Sequence, residues 1–511
     1  MSDKVKILVV TPEITYLPHG MGNLAQRLNA KAGGLADVSA SLVAALTELE
    51  EVEVHVALPH YRQMFQATDD MDVANLAANE LRAYQQKLPS DQIHLAEDRI
   101  FYYRDQVYSG YSGEVGKVAN VFQREVINNI LPRVNPQLIH CNDWMTGLIP
   151  GAARRLGIPC LFTLHNIHTE KMTLAAIEDS GIDAASFWGE LFYERTPHGY
   201  EESRDDNRVD YLASGIFASH FINTVSPSFL AEIVDGQHNF IPDQVRAEIV
   251  GKFHAKCALG ILNAPDATFD PETDVYLPRT YGASDHTAGK AANKAELQRA
   301  LGLEERPDAP ILFWPSRLDP VQKGPHLLTE ILFDLIRDYD DIGLQVAVVA
   351  NGGFQQHFHD IVNQHGIHSR VGIRNFTEAL SHIGYAGSDF MVMPSSFEPC
   401  GLPQMVSPIY GTLPIVHNTG GLKDTVEPLD VDTSQGNGFR FDVFDALGFR
   451  WSIDQAIEFW KLPEDTKHAQ LSRIMTQSKK SFSHAATAKE YIDIYGKMLK
   501  RTFVRRETSA P

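Results

Sequence analysis

Three short stretches of this chain place glycines where a strand would turn into a helix, and cations lie close by. In "NAKAGGLADV", Lys31 precedes Gly33 and Gly34 at the entrance of a helical run. "FEPCGLPQ" sets Glu398, Cys400, Gly401 and Leu402 after the apolar run "FMVMP", and "NTGGLKDTV" sets Thr419, Gly420 and Gly421 after "LPIVH". Glycine lets another group come close to the backbone, and a helix N-terminus offers unpaired N–H groups and a partial positive charge. A fourth stretch, "SRLDPVQKG", adds Arg317 and Lys323 after another buried-strand pattern. Taken singly, each junction fits an ordinary turn beside a solvated lysine. Taken together they suit a diphosphate received by both halves of the molecule, with Lys31, Arg317 and Lys323 balancing its charge.

Other candidates carry two readings each. His165 in "LHNI" is either a satisfied core histidine at a strand end or a group beside a reacting centre. Asp143 and Trp144 in "HCNDWMTG" suit a helix N-cap and a packing anchor as well as a polar site. Cys400 suits a small buried hydrophobe. Phe376 in "IRNFTEALSH" fits base stacking and core packing equally.

These residues need elements to hold them. The 511 residues exceed one ordinary hydrophobic core, so two domains are expected. Hydrophobic residues at 43% and charged residues at 22% describe a globular chain, not a disordered one. A net charge of −20 without a long basic run excludes a nucleic-acid partner. The cysteines Cys141, Cys160, Cys257 and Cys400 lack CxxC spacing, which points to a reducing compartment and no structural zinc. "ILVVTPEI" is too short to span a membrane and no signal-peptide pattern appears, so a cytoplasmic protein is expected.

Short β-branched runs alternate with helical stretches. They are "KILVV", "VEVHVAL", "QLIHC", "PCLFTLHN" and "HFINTVS", then "PILFWPSRL", "LQVAVVANG", "SRVGIRNF", "DFMVMPSS" and "LPIVHNT". This is the pattern of an α/β chain with two doubly wound parallel sheets, whose ligands bind beyond the carboxyl ends of the strands. Two such domains facing each other would make a cleft. Residues 14–30 and 169–207 do not fit the alternation and read as long loops.

The motifs also occur in a familiar order. "KAGGLADV", "ALPHYRQ", "HCNDWMTGLIP", "TLHNI", "TVSPSFLAEI", "GILNAPDATFDPETD", "KAANKAELQRALGL", "SRLDPVQKG", "EALSHIGYAGSDF", "FEPCGLPQM", "YGTLPIVHNTGGLKDTV" and "FSHAATAKEYIDIY" run almost end to end. In this the chain resembles the bacterial glycogen synthases and plant starch synthases. The resemblance implies a GT-B fold: a Rossmann-like domain over 1–258, a second over 259–485 that binds the nucleotide sugar, and a helix over 486–511 returning to the first. It implies metal-independent, retaining transfer of glucose from ADP-glucose or UDP-glucose to the non-reducing end of an α-1,4-glucan, with no cofactor. On this resemblance Lys31, Arg317 and Lys323 neutralise the diphosphate, Glu398 holds the transferred glucose, His165 lies beside the reacting centre, and Asp143 faces the acceptor side with Trp144 and Asn166. Gly33, Gly34, Cys400, Gly401, Leu402, Thr419, Gly420, Gly421 and Phe376 fall to donor binding. A retaining transferase with a small sugar or sugar-phosphate acceptor, and an inactive glucan-binding homologue, stay open beside this.

Some positions depart from the family pattern. Met145 stands where histidine is frequent, Val406 where relatives with a second carboxylate carry it, and one extra residue separates Arg317 from Lys323. Pro403 has no N–H to give a phosphate. The insertion carrying His19 and Gly22 could cover the donor or lengthen an acceptor groove.

Overall fold

The computed structural model describes residues 4–18, 21, 29–31, 34–62, 92–108 and 113–503. Gly33, and with it His19 and Gly22 of the insertion, lies outside them. The chain divides into two compact units: Met1–Val225 with Leu230–Ile261 and His484–Pro511, and Ser226–Phe229 with Leu262–Ser483.

The first unit is built on seven strands: β1 Val5–Val10, β2 Val52–Pro59, β3 Ile93–Ala96, β4 Leu138–Asn142, β5 Cys160–Leu164, β6 Phe221–Thr224 and β7 Ala258–Gly260. Their order is β3-β2-β1-β4-β5-β6-β7, and every neighbouring pair is parallel. Strand β1 lies between β2 and β4, so all its residues except Lys6 are buried. That is why it reads as an unbroken apolar run instead of alternating.

The helix Gly34–Thr47 follows β1, and most of its side chains are buried. One partner is the helix His484–Leu499, whose Tyr491, Ile494 and Tyr495 share a core with Ile7, Val9, Val43 and Leu46. Buried polar groups lock that helix in place. Tyr495 O–H donates to His140 Nδ1 at 2.7 Å, and His140 Nε2–H donates to Thr163 Oγ at 2.6 Å. Thr163 then donates to Asn223 Oδ1 at 2.6 Å, and Asn223 Nδ2 donates to the Tyr491 hydroxyl at 3.0 Å. Burial lowers the His140 pKa to about 3, so the ring stays neutral and the donor order is fixed.

Residues 169–207 are not the long loop expected. Lys171–Met172 pairs antiparallel with Val209–Asp210, and short helices run over Leu174–Asp179 and Tyr200–Asp206. Leu174, Ile177, Ile182, Phe187, Leu191 and Tyr193 are buried under them. Their irregular spacing among acidic residues hid a small core of their own. In the other long stretch, Ile14 bridges Ala30 and both are buried, as are Leu17 and Met21.

The second unit has strands β8 Ile311–Trp314, β9 Gln345–Val349, β10 Val371–Arg374, β11 Phe390–Met393, β12 Leu413–His417 and β13 Phe439–Phe441. They are all parallel, in the order β10-β9-β8-β11-β12-β13. Alternate residues of β8 feed opposite cores: Leu312 and Trp314 one, Ile311 and Phe313 the other. The turn-rich stretch after β7 is pinned by Asp274, which accepts from His382 Nδ1 at 2.7 Å and from the Tyr410 hydroxyl at 2.6 Å, while Phe269 stacks on the His382 ring at 4.4 Å.

Candidate active site

In both sheets the strand order reverses beside the first strand, between β1 and β4 and between β8 and β11. Loops diverge there, leaving room at the carboxyl edge. The candidate residues follow these strands.

In the first unit, Lys31 stands three residues before the helix Gly34–Thr47. Its ammonium lies 3.1 Å from Asp37 Oδ2 in the first turn of that helix, and the side chain is 40% exposed. Asp37 also accepts from Thr15 Oγ at 2.6 Å. The cation therefore has a local counter-charge, which "KAGGLAD" does not reveal until the helix brings Asp37 back toward Lys31.

The ends of β4 and β5 are tied together twice. Asn142 Nδ2 donates to the Val10 carbonyl at 3.2 Å, which aims its Oδ1 at His165 Nε2, 3.1 Å away. Nε2 must then carry the proton, leaving Nδ1 as an acceptor. Burial lowers the His165 pKa to about 3, so the ring is neutral. One residue along, Asn166 Nδ2 donates to Asp143 Oδ2 at 2.7 Å.

Asp143 is unusual in three ways. Its backbone sits at φ 63°, ψ 175°, a region close to glycine-only that costs a side-chain-bearing residue about 1–3 kcal/mol. Its other oxygen, Oδ1, is buried with no hydrogen-bond partner. Burial raises its pKa to about 8, against hydrogen bonds from Asn166 and His165 that pull it down and a push from the Glu13 carboxylate. It caps nothing with its side chain, contrary to the N-cap reading. Trp144 is buried, with its ring 5.4 Å from that of His168 and 6.5 Å from that of Tyr211, as a packing anchor would be. Met145 is fully buried.

In the second unit, the Lys323 ammonium lies 2.5 Å from Glu398 Oε2 with both side chains nearly buried. Ser395 Oγ donates to the same oxygen at 3.1 Å. Oε1 takes neither bond. The pair joins the loops after β8 and β11, and Ser396 N–H donating to the Gln322 carbonyl at 2.8 Å joins them again. Lys323 is thus engaged by the carboxylate that the sequence reading had given a separate task. Arg317 is exposed on the same loop. The Asn351 carbonyl accepts from Leu318 N–H at 3.0 Å, and its Oδ1 accepts from Phe376 N–H at 3.0 Å. Asn351 thereby connects the loops bearing Arg317 and Phe376. Phe376 is 42% exposed, which removes core packing as its role.

The glycine pair has a packing role of its own. Gly421 N–H donates to the Glu398 carbonyl at 2.9 Å. A Cβ on Gly420, whose φ is 45°, would lie 2.0 Å from the Glu398 carbonyl oxygen, and one on Gly421 would lie 2.1 Å from that of Cys400. The space is filled by the neighbouring loop, so these glycines let two backbones touch. Thr419 is the N-cap of the short helix Gly420–Thr425. Gly401 sits at φ 77°, and Leu402 caps the helix Pro403–Ile409. Pro403 occupies the first helical position, where an N–H has no helical partner anyway. Cys400 is buried and burial raises its thiol to about 12, so it is inert. Val406 is core.

Gly34 begins its helix as expected. Glu13, Asn142, Ser395 and Asn351 were missed. Only Glu13, a buried acid three residues after an apolar strand, left a signal in the sequence.

Residues 6–244 match the family model of the starch synthase catalytic domain, and residues 299–472 match that of glycosyl transferases group 1. The glycogen synthase of Exiguobacterium sibiricum is 34% identical over 91% of this chain and 95% of its own length. The chain belongs to the glycogen synthase family. That of Moorella thermoacetica is 32% identical over 98% of both chains. Among solved structures, the catalytic domain of Starch Synthase IV from Arabidopsis thaliana, bound to ADP and acarbose, superposes with a TM-score of 0.75 at 26% identity, covering 98% of this chain and all of that one. The two parallel α/β units are those of a GT-B glycosyltransferase, and the family makes the chain a glucosyltransferase.

Proposed function

We propose that the chain transfers glucose from a nucleotide diphosphate glucose, ADP-glucose or UDP-glucose, to the non-reducing end of an α-1,4-glucan with retention of configuration. The observation that carries this reading is the buried Lys323–Glu398 pair, set at the switch point of the second sheet in a chain of this family. Breaking the bond between the sugar C1 and the phosphate oxygen leaves negative charge on the diphosphate and cationic character on the sugar. Fixed charges in a partly dry site meet both without reorganising. Lys323 and Arg317 take the diphosphate, and Lys31 contributes from the first unit. Glu398, its Oε2 anchored by Lys323, offers Oε1 to the sugar hydroxyls.

The acceptor hydroxyl attacks C1 on the face the phosphate leaves, and the departing phosphate oxygen receives its proton. Phe376 offers a face to the base. Asp143, mostly protonated at neutral pH because burial raises its pKa to about 8, and neutral His165 bind hydroxyls on the acceptor side, with Asn166 holding Asp143 in place. Incubating the protein with ADP-glucose or UDP-glucose plus glycogen, and measuring nucleotide release and glucan extension, tests this. Release with neither donor refutes it.

A further inference from the structure

The second unit carries a cavity of about 320 Å³ that shares no residue with the loops of Lys323, Glu398 or Gly421. One wall is the helix Ala446–Trp460, which aligns Trp451, Gln455 and Glu458 on one face by their spacing of four and three. The other wall is β13 with the turn at Pro428–Val431. Trp451 is 56% exposed, an unusual position for so large an apolar ring.

Ser452 Oγ and Arg440 Nε, in residues lining this cavity, are shielded from solvent and have no hydrogen-bond partner among the described residues. Arg440 Nη1 donates to the Lys423 carbonyl at 3.2 Å, which fixes the guanidinium plane. Arg440 on one wall and Glu458 on the other carry opposite charges, and Glu458 also pairs with Lys461 at 2.9 Å. An exposed indole, a floor of Leu429, Phe439 and Leu462, and planar polar groups around them suit a neutral ligand with apolar C–H faces and a rim of hydroxyls.

We infer that this cavity is a subsite for α-glucan chains, separate from the site of transfer. The inference rests on the proposed function for its choice of sugar. A branched glucan held here by one chain would present its other ends at a raised local concentration, so the subsite lowers the glucan concentration needed for transfer without touching the chemistry.

The test compares wild type, W451A, W451F and L447A with glycogen and with maltotriose as acceptor, and by retardation in glycogen-containing gels without donor. W451A is expected to raise KM for glycogen roughly tenfold and to lose gel retardation. Its kcat, and its KM for maltotriose and for the nucleotide sugar, should stay unchanged. W451F should recover most of the binding. Leu447 is 80% exposed on the same helix but lines no part of the cavity, so L447A should behave as wild type. Unchanged glycogen binding in W451A overturns the subsite. So does an equal loss in L447A, or a wild-type dimer that W451A dissolves, since either marks an apolar docking face. Wild type that transfers to neither acceptor yet is retarded through Trp451 overturns the proposed function and keeps the subsite.

Discussion

Replacing Lys323 with methionine removes the only cation on Glu398 among the described residues while keeping the volume of its stem. The Glu398 side chain is 6% exposed, and its remaining anchor is the Ser395 hydroxyl. Breaking a buried ion pair from one side costs about 3–5 kcal/mol, because the surviving charge stays desolvated. At roughly 2–4 °C per kcal/mol for a domain of this size, the melting transition of the second unit should fall by roughly 6–20 °C. Glu398→Gln leaves the ammonium an amide oxygen to donate to and should cost less, about 1–3 kcal/mol. The double variant buries no charge here. It should melt above Lys323→Met, giving a coupling of about 2 kcal/mol or more in a double-mutant cycle. Calorimetry on all four proteins measures this, alongside nucleotide release. Transfer should be lost in all three variants, including the double one whose stability recovers. Strictly additive shifts, or transfer restored in the double variant, would refute the assignment of this pair to both fold and reaction.

Lys31→Ala should cut transfer at least a hundredfold while costing no more than about 1 kcal/mol, since the lysine end of its ion pair is 40% exposed and buried Asp37 keeps the Thr15 hydroxyl; matching losses of rate and melting temperature would tell against it. Asp143→Asn should alter the pH dependence of stability. The folded-state pKa of Asp143 is raised to about 8, whereas an unfolded aspartate titrates near about 3.9. Wild type therefore loses stability as pH rises from about 4 to about 8, and the asparagine variant lacks that term. Its melting advantage should grow with pH up to about 8 and then level off, and a gap that narrows with rising pH contradicts the raised value. Gly421→Ala should destabilise by about 1–3 kcal/mol, because the clash is with Cys400 backbone that cannot rotate away; a neutral result in urea unfolding would show that the two loops do not touch. Phe376→Ala should leave the melting temperature within a degree or so and raise KM for the nucleotide sugar about tenfold, through lost stacking; an unchanged KM removes the base from that ring.

Ten of the strand runs were legible because parallel strands buried on both faces leave largely apolar runs. Ile93–Ala96, Ala258–Gly260 and Phe439–Phe441 escaped notice: all are edge strands of four residues or fewer, and the last has an arginine at its centre. The positions of Gly420 and Gly421 could be read, but not their contact with the Glu398 and Cys400 backbone. A glycine pair says that something comes close without saying whether it is an anion or another stretch of chain. Asn142 and Asn351 could not have been found, since each acts through bonds to strand ends and loops far away in sequence. Lys31 was visible and its partner Asp37 was not, because that pairing depends on how the following helix begins. Asp143 drew attention through its motif, while its backbone strain and buried Oδ1 belong to the folded chain alone.

The Tyr491–Tyr495 helix has a further implication for biogenesis. Its side chains complete the interior of the first unit, yet they leave the ribosome after every residue of the second. The segment synthesised first must therefore wait, with His140 and Asn223 lacking their tyrosine partners, until the second unit has been made and the helix that follows it emerges. The later-made unit can mature before the earlier one closes, and a chain cut short ahead of His484 would leave an unfilled apolar socket for chaperones to bind.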